Sequence, residues 1–266
     1  MSEVKIAPIP DLGQRTDEIT IYAGPCSVES AEQFEEVAEC VADLGLHWIR
    51  GGAFKPRTNP HSFQGLGEEA LKIMKSAGDK YGLKTLTEVM DSAHCQLVAD
   101  YVDGLQVGAR NFQNFSLLKK IGEVTANTHQ MVLYKRGFAG TIAEWLAATD
   151  YITDHGNTNV VLCERGIRTF ETATRFTLDI AAVPVIHKQS LYPVCIDVSH
   201  PAGQRDLVPS LAKAAVAAGA DSLMIEVHPN PPVALSDGPQ QLTPAQFREL
   251  IAELRELAAC LGKKIV

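Results

Sequence analysis

Ile19-Thr20-Ile21-Tyr22-Ala23-Gly24-Pro25-Cys26-Ser27 decides the fold. The first five residues are apolar or β-branched, the composition of a strand buried on both faces of a parallel sheet. The turn that follows contains no GxGxxG, the phosphate-binding turn that a doubly wound nucleotide sheet usually carries after its first strand. Outward from this point the same strand-then-helix alternation repeats. Further strands are predicted over His47–Gly51, Lys84–Glu88, Gly104–Val107, Met131–Lys135, Asn159–Glu164, Pro193–Val198 and Ser222–Val227. Amphipathic stretches lie between them. Ala31–Leu44 sets Phe34, Val37, Ala38, Val41 and Leu44 on one face, and Gly65–Tyr81 does the same with Leu66, Ala70, Ile73, Met74 and Ala77. Other helices are predicted over Ser92–Tyr101, Ser116–Ile121, Thr141–Thr153, Arg175–Ala181, Leu207–Ala218 and Thr243–Leu261; Thr243-Pro244 is a cap residue before a first-position proline. Eight strand–helix units in a chain of this size predict a (β/α)8 TIM barrel, whose usual length is about 250 residues. Residues 19–266 form the barrel in this reading, and residues 1–18 a short N-terminal extension in which Pro8 and Pro10 oppose a long helix.

The 266 residues carry a formal charge of −8, which argues against nucleic acid as a partner. No apolar run approaches the roughly 18 residues that span a bilayer, and the first ten residues do not resemble a signal peptide. Membrane association is therefore not expected. Six scattered cysteines without a CxxC pair read as reduced thiols in a cytoplasmic protein.

Against this acidic background the cations are concentrated. Arg50-Gly51-Gly52-Ala53-Phe54-Lys55-Pro56-Arg57-Thr58 places three within eight positions after the second strand, and its glycines permit close backbone approach to a ligand. Arg110 follows the fourth strand, Lys135 ends the fifth and Arg165 ends the sixth. Barrels place their chemistry at these C-terminal strand ends. A basic loop alone reads equally well as a solvated surface, and Lys135 alone as half of an ion pair. Six cations on one rim predict anionic, phosphate-bearing ligands. The same rim carries Cys26, His200, Glu226 and Asp237, at the ends of the first, seventh and eighth strands or in the loops beyond them. Thiol, imidazole and carboxylate donors converging there make a candidate site for Mn2+, Fe2+, Co2+ or Zn2+. His228, two residues after Glu226, is a competing ligand ranked behind them.

With these motifs in hand, the chain resembles the short, microbial (type I beta) 3-deoxy-D-arabino-heptulosonate 7-phosphate (DAHP) synthases. The resemblance rests on Ala23-Gly24-Pro25-Cys26-Ser27-Val28-Glu29, the Arg50–Thr58 stretch, Gly108-Ala109-Arg110-Asn111, Lys135-Arg136-Gly137, Cys163-Glu164-Arg165-Gly166, Asp197-Val198-Ser199-His200-Pro201, Ile225-Glu226-Val227-His228-Pro229 and Ser236-Asp237-Gly238. It implies condensation of phosphoenolpyruvate with erythrose 4-phosphate, the first step of the shikimate route to aromatic amino acids. It implies a divalent metal on Cys26, His200, Glu226 and Asp237. Phosphoenolpyruvate would lie on Arg50, Lys55, Arg110, Lys135 and Arg165, and the sugar phosphate on Arg57 and Thr58. Catalytic roles would fall to Lys55, His200 and Cys26, with Lys55 the candidate for proton traffic.

The resemblance also implies a homo-oligomer, a tetramer rather than a dimer. With only about 18 residues before the barrel, there is no room for the regulatory domain of longer relatives, so insensitivity to phenylalanine and tyrosine is expected. The nearest rival is the sister synthase that uses arabinose 5-phosphate to make 3-deoxy-D-manno-octulosonate 8-phosphate. Its usual Asn-Arg-Ser-Ser turn is replaced here by Lys55-Pro56-Arg57-Thr58. A Schiff-base aldolase acting through Lys135, or a non-catalytic scaffold barrel, would leave Cys26, His200 and Glu226 without a purpose.

Overall fold

The computed structural model describes residues 17–55, 59 and 61–266. The eight predicted strands form β1 (Glu18–Gly24), β2 (Trp48–Arg50), β3 (Lys84–Glu88), β4 (Gly104–Val107), β5 (Met131–Lys135), β6 (Val160–Glu164), β7 (Val194–Asp197) and β8 (Ser222–Glu226). All pair in parallel with their chain neighbours, and β1 pairs with both β2 and β8, which closes the barrel. A short strand that the sequence reading did not anticipate, β9 (Lys264–Ile265), joins β1 at Glu18 and Ile19. Residues 1–16 of the predicted extension lie outside the described residues, as do Pro56, Arg57 and Thr58 of the basic stretch.

Helices α1 (Ala31–Asp43), α2 (Glu68–Tyr81), α3 (Cys95–Ala99), α4 (Phe115–Thr125), α5 (Ile142–Thr153), α6 (Ala182–Gln189), α7 (Ser199–Ala202), α8 (Val208–Ala217) and α9 (Pro244–Cys260) surround the strands. Their starts follow local chemistry. Ser30 caps α1, and Thr141 and Thr243 open α5 and α9 with reciprocal capping boxes to Glu144 and Gln246.

One predicted helix is displaced. Arg175–Ala181 is not helical, and α6 begins only at Ala182. Pro184 stands in the first turn of α6, where no intrahelical N–H bond is lost. The residues read as helix instead build a loop: Ile167 and Thr177 form an antiparallel bridge, and Phe176 N–H donates to Pro201 O at 3.1 Å.

Period-two alternation divides the strand side chains between two layers. Outward residues such as Ile19, Ile21, Val132, Val160 and Ile225 pack under the helices. Inward residues Tyr22, Trp48, Leu86, Leu133, Cys163, Cys195 and Met224 fill the barrel interior. Two positions further along the same inward face stand Gly24, Arg50, Glu88, Lys135, Arg165, Asp197 and Glu226. An apolar floor thus carries a charged layer at the C-terminal strand ends.

Candidate active site

That charged layer surrounds a cavity of about 340 Å3 whose walls include Lys55, Arg110, Lys135, Arg165, His200 and Asp237. The structure thus brings together all of the predicted site residues it describes. The glycines of the basic stretch serve a different neighbour from the expected ligand. A Cβ on Gly51 would stand 2.8 Å from Val28 Cγ2, and one on Gly52 would stand 2.7 Å from Cys26 O. Their bareness lets the β2 loop lie against the β1 loop. Lys55 Nζ then reaches both Cys26 O and Cys26 Sγ at 3.0 Å.

Cys26, Glu226 and Asp237 offer sulfur and carboxylate oxygens that all lie within 4.8 Å of one another. His200 joins from the side, with Nε2 3.6 Å from Glu226 Oε1 and 3.6 Å from Asp237 Oδ2. Mixed thiol, carboxylate and imidazole donors at this spacing fit a divalent transition metal. Gln241 sets the thiol in place: its Oε1 accepts from Cys26 N–H at 2.9 Å, and its Nε2 donates to Ser236 O at 2.8 Å. His228 is not part of the cluster. Its Nδ1 accepts from Asn230 N–H at 3.0 Å and its Nε2 lies 3.4 Å from Glu29 Oε2, so it ties the β1 and β8 loops together.

The electrostatics separate these groups. Burial, reinforced by the Glu226 carboxylate, pushes the Cys26 thiol up to about 12. Burial also pulls the His200 imidazole below its ordinary value, against the opposing pull of Asp197 and Glu226. Burial works against ionisation of Asp237 too, but His200 and Arg175 outweigh it and hold the carboxyl well below the usual range.

On the other wall the cations differ in how they are occupied. Arg50 Nη1 donates to Pro25 O at 2.7 Å and to Glu226 Oε1 at 3.3 Å, so it braces the carboxylate cluster. Lys135 Nζ donates to Asp197 Oδ2 at 2.6 Å, the ion pair that Lys135 taken alone suggests, while it also lines the cavity. Asp197 is also close to His200, whose Nδ1 lies 2.7 Å from Oδ2 without the alignment of a hydrogen bond. Burial opposes the Asp197 charge, but His200 and Lys135 together hold the carboxyl well below its ordinary value.

Arg165 is different. Its guanidinium lies over Phe176 and Phe138, 4.2 and 4.9 Å from the ring centres, and its buried Nη1 has no hydrogen-bond partner. Arg110 is exposed on the rim and forms no hydrogen bond or ion pair with another described residue. A buried donor without a partner is costly, and with an exposed arginine on the same cavity wall it could receive an anion.

Sequence reasoning missed Arg175, Phe176, Asp197, Glu88 and Gln240. Arg175 and Phe176 were hidden by the displaced helix. Asp197, Glu88 and Gln240 were legible only once strand alternation and a loop path placed them. Arg57 and Thr58 lie outside the described residues. No helix among the described residues is long and apolar enough to cross a membrane.

The chain matches the profile of the DAHP synthetase I family over residues 12–261. It is 52% identical over 246 residues to the phospho-2-dehydro-3-deoxyheptonate aldolase of Thermotoga maritima, covering 92% of this chain and 72% of that protein. It is 32% identical over 262 residues to the 2-dehydro-3-deoxyphosphooctonate aldolase of Caulobacter vibrioides, covering 90% and 87%. The crystal structure of the Thermotoga maritima DAHP synthase superposes with a TM-score of 0.90 at 50% identity, covering 94% of this chain and 72% of that one. A truncated form of 3-deoxy-D-arabino-heptulosonate 7-phosphate synthase from the same organism gives 0.88 at 47% identity, covering 97% and 94%.

Proposed function

The chain belongs to the DAHP synthetase I family, and on that premise we propose that it condenses phosphoenolpyruvate with erythrose 4-phosphate to give DAHP and phosphate. The observation that carries this reading is the cavity itself: Arg165, whose Nη1 has no hydrogen-bond partner, lines the same open cavity as His200 and Asp237 of the donor cluster. Arg165, Arg110, Lys135 and Lys55 hold the phosphate and carboxylate of phosphoenolpyruvate, with Arg50 acting mainly through Glu226. Arg57 and Thr58 receive the phosphate of the sugar. Fixing the methylene carbon of one substrate against the aldehyde of the other is an orientation effect worth several kcal/mol. The cations offset the charge that shifts as the carbon–carbon bond forms and phosphate leaves. Lys55, 3.0 Å from Cys26 Sγ, is the group placed to move a proton beside the aldehyde oxygen.

Cys26, His200, Glu226 and Asp237 hold a divalent ion in this reading, which when bound supplies Lewis-acid polarisation or an acidified water. Operation in the cytoplasm, read from the scattered cysteines, and assembly as a homotetramer, implied by the resemblance, belong to the same reading. The octulosonate synthase reading is weaker, because identity to that group stands at 32% against 52%. The test is phosphate release from phosphoenolpyruvate with erythrose 4-phosphate or arabinose 5-phosphate, each with and without chelator. Turnover with the four-carbon sugar, abolished by chelator and restored by Mn2+, is the expected result. Turnover only with the five-carbon sugar would assign the chain to the sister reaction.

A further inference from the structure

Both carboxylates of the donor cluster are divided between two duties. Asp237 turns Oδ2 toward Cys26 Sγ, 3.5 Å away, and His200 Nε2, 3.6 Å away, while its Oδ1 lies 3.2 Å from Arg175 Nη1. Glu226 turns Oε1 toward His200 and Arg50, and its Oε2 accepts from Gln240 Nε2 at 2.5 Å. The two outer partners are joined, since Arg175 Nη1 donates to Gln240 Oε1 at 2.9 Å. Gln240 Nε2 also lies 3.4 Å from Asp237 Oδ2.

The backbone supports this division. Asp237 has φ 50°, in the left-handed region, and a single 3-10 turn, Gly238–Gln240, brings the Gln240 amide back beside it. Gly238 is required there, because a Cβ at that position would stand 2.4 Å from Pro231 O. Arg175 comes from the other side, on the β6–α6 loop. The opposite charges and the bonded amide fix which oxygen of each carboxylate is left for the interior.

We propose that Arg175 and Gln240 are positioning residues that restrict Asp237 and Glu226 to one oxygen each toward the bound metal, and so set its affinity and coordination number. The inference rests on the metal reading above and goes beyond it, because neither residue touches the ion. Partners outside the ligand set commonly tune metal affinity by 10- to 100-fold. If both outer oxygens were released, each carboxylate could swing to bind through two, and the site would loosen and gain coordination.

The test uses the substrate-free chain. Mn2+ binding is followed by the electron paramagnetic resonance of the free ion, and Co2+ loading by visible absorption. The wild-type chain is expected to bind one ion, with a thiolate-to-Co2+ charge-transfer band. Arg175→Met and Gln240→Met are expected to raise the Mn2+ Kd about 10- to 100-fold. They should keep the thiolate band while weakening the Co2+ d–d bands, the signature of a higher coordination number. Arg175→Lys should fall between Arg175→Met and wild type.

The Arg175 side chain is 37% exposed, so its variants are expected to fold, which thermal melting checks independently of the buried Gln240. Met variants with wild-type Kd and an unchanged Co2+ spectrum would overturn the proposal. So would Arg175 variants that change only the KM for phosphoenolpyruvate, which would make Arg175 a substrate contact. A wild-type chain that binds no ion would overturn the metal reading and this inference together.

Discussion

The guanidinium carbon of Arg165 lies 4.2 Å from the ring centre of Phe176, and both belong to the loop between β6 and α6. The aromatic face holds the cation without consuming its hydrogen-bonding capacity, which leaves Nη1 for an anion. Arg165→Met should therefore lower kcat/KM for phosphoenolpyruvate by roughly 10- to 150-fold, the loss of a charged hydrogen bond worth about 1.5–3 kcal/mol. Phe176→Leu should cost less, about 0.5–2 kcal/mol. Initial-rate kinetics against both substrates check this, and an unchanged kcat/KM for phosphoenolpyruvate in Arg165→Met would remove Arg165 from the anion site.

Metal binding should be strongly pH-dependent. Burial first, and then Glu226, push the Cys26 thiol up to about 12, so the thiol carries its proton at neutral pH. A metal that binds the thiolate must displace it. Affinity is thus expected to rise about tenfold per pH unit between pH 6 and 8, with one proton released per ion. Calorimetry in buffers of differing ionisation enthalpy measures that proton. Cys26→Ser should abolish the thiolate-to-Co2+ band, and a band that survives would exclude Cys26 as a ligand.

Asp197 joins the two walls of the cavity, with Lys135 at 2.6 Å and His200 at 2.7 Å from the same oxygen. Replacing it leaves a buried lysine without its partner. Asp197→Ala is expected to destabilise the fold by about 3–5 kcal/mol, and Asp197→Asn by less, because the amide oxygen still accepts a hydrogen bond. Denaturant unfolding gives the difference. Equal stability of Asp197→Ala and wild type would mean that Lys135 finds another anion.

Gly24 ends β1 with φ 149°, and a Cβ there would stand 2.0 Å from the backbone oxygen of Arg50. Backbone cannot yield as a side-chain tip can. Gly24→Ala should cost about 3 kcal/mol or more from strain and overpacking. Gly45→Ala, also at positive φ but with nothing within 4 Å, should cost only the conformational penalty of about 1 kcal/mol. A comparison of their melting temperatures separates crowding from φ.

The strands were legible because burial on both faces leaves short aliphatic runs, and β3, β4 and β5 match their predicted limits residue for residue. Cys26, His200, Glu226 and Asp237 were legible because strand ends are easy to locate once the strands are. Arg175 was not, because a helix assigned across Arg175–Ala181 gave it no route to the site. β9 escaped because two residues after a helix carry too little periodicity to register. Gln240 and Gln241 lie in a loop whose path is fixed by tertiary contacts with Cys26, Glu226 and Arg175, which no local pattern encodes.

The stacking of a charged layer on an apolar floor separates two selective pressures. Along β5, Leu133 belongs to the floor and Lys135 to the layer above, and Cys195 and Asp197 stand in the same relation on β7. Pairing between neighbours is staggered, with Lys135 beside Cys163 and Asp197 beside Met224, yet the two-residue step from floor to rim recurs on each strand. Lineages can therefore retune what the cavity accepts by exchanging upper-layer residues and the loops beyond, while the lower layer keeps the barrel closed. Evolvability in this molecule has an address two residues above its stability.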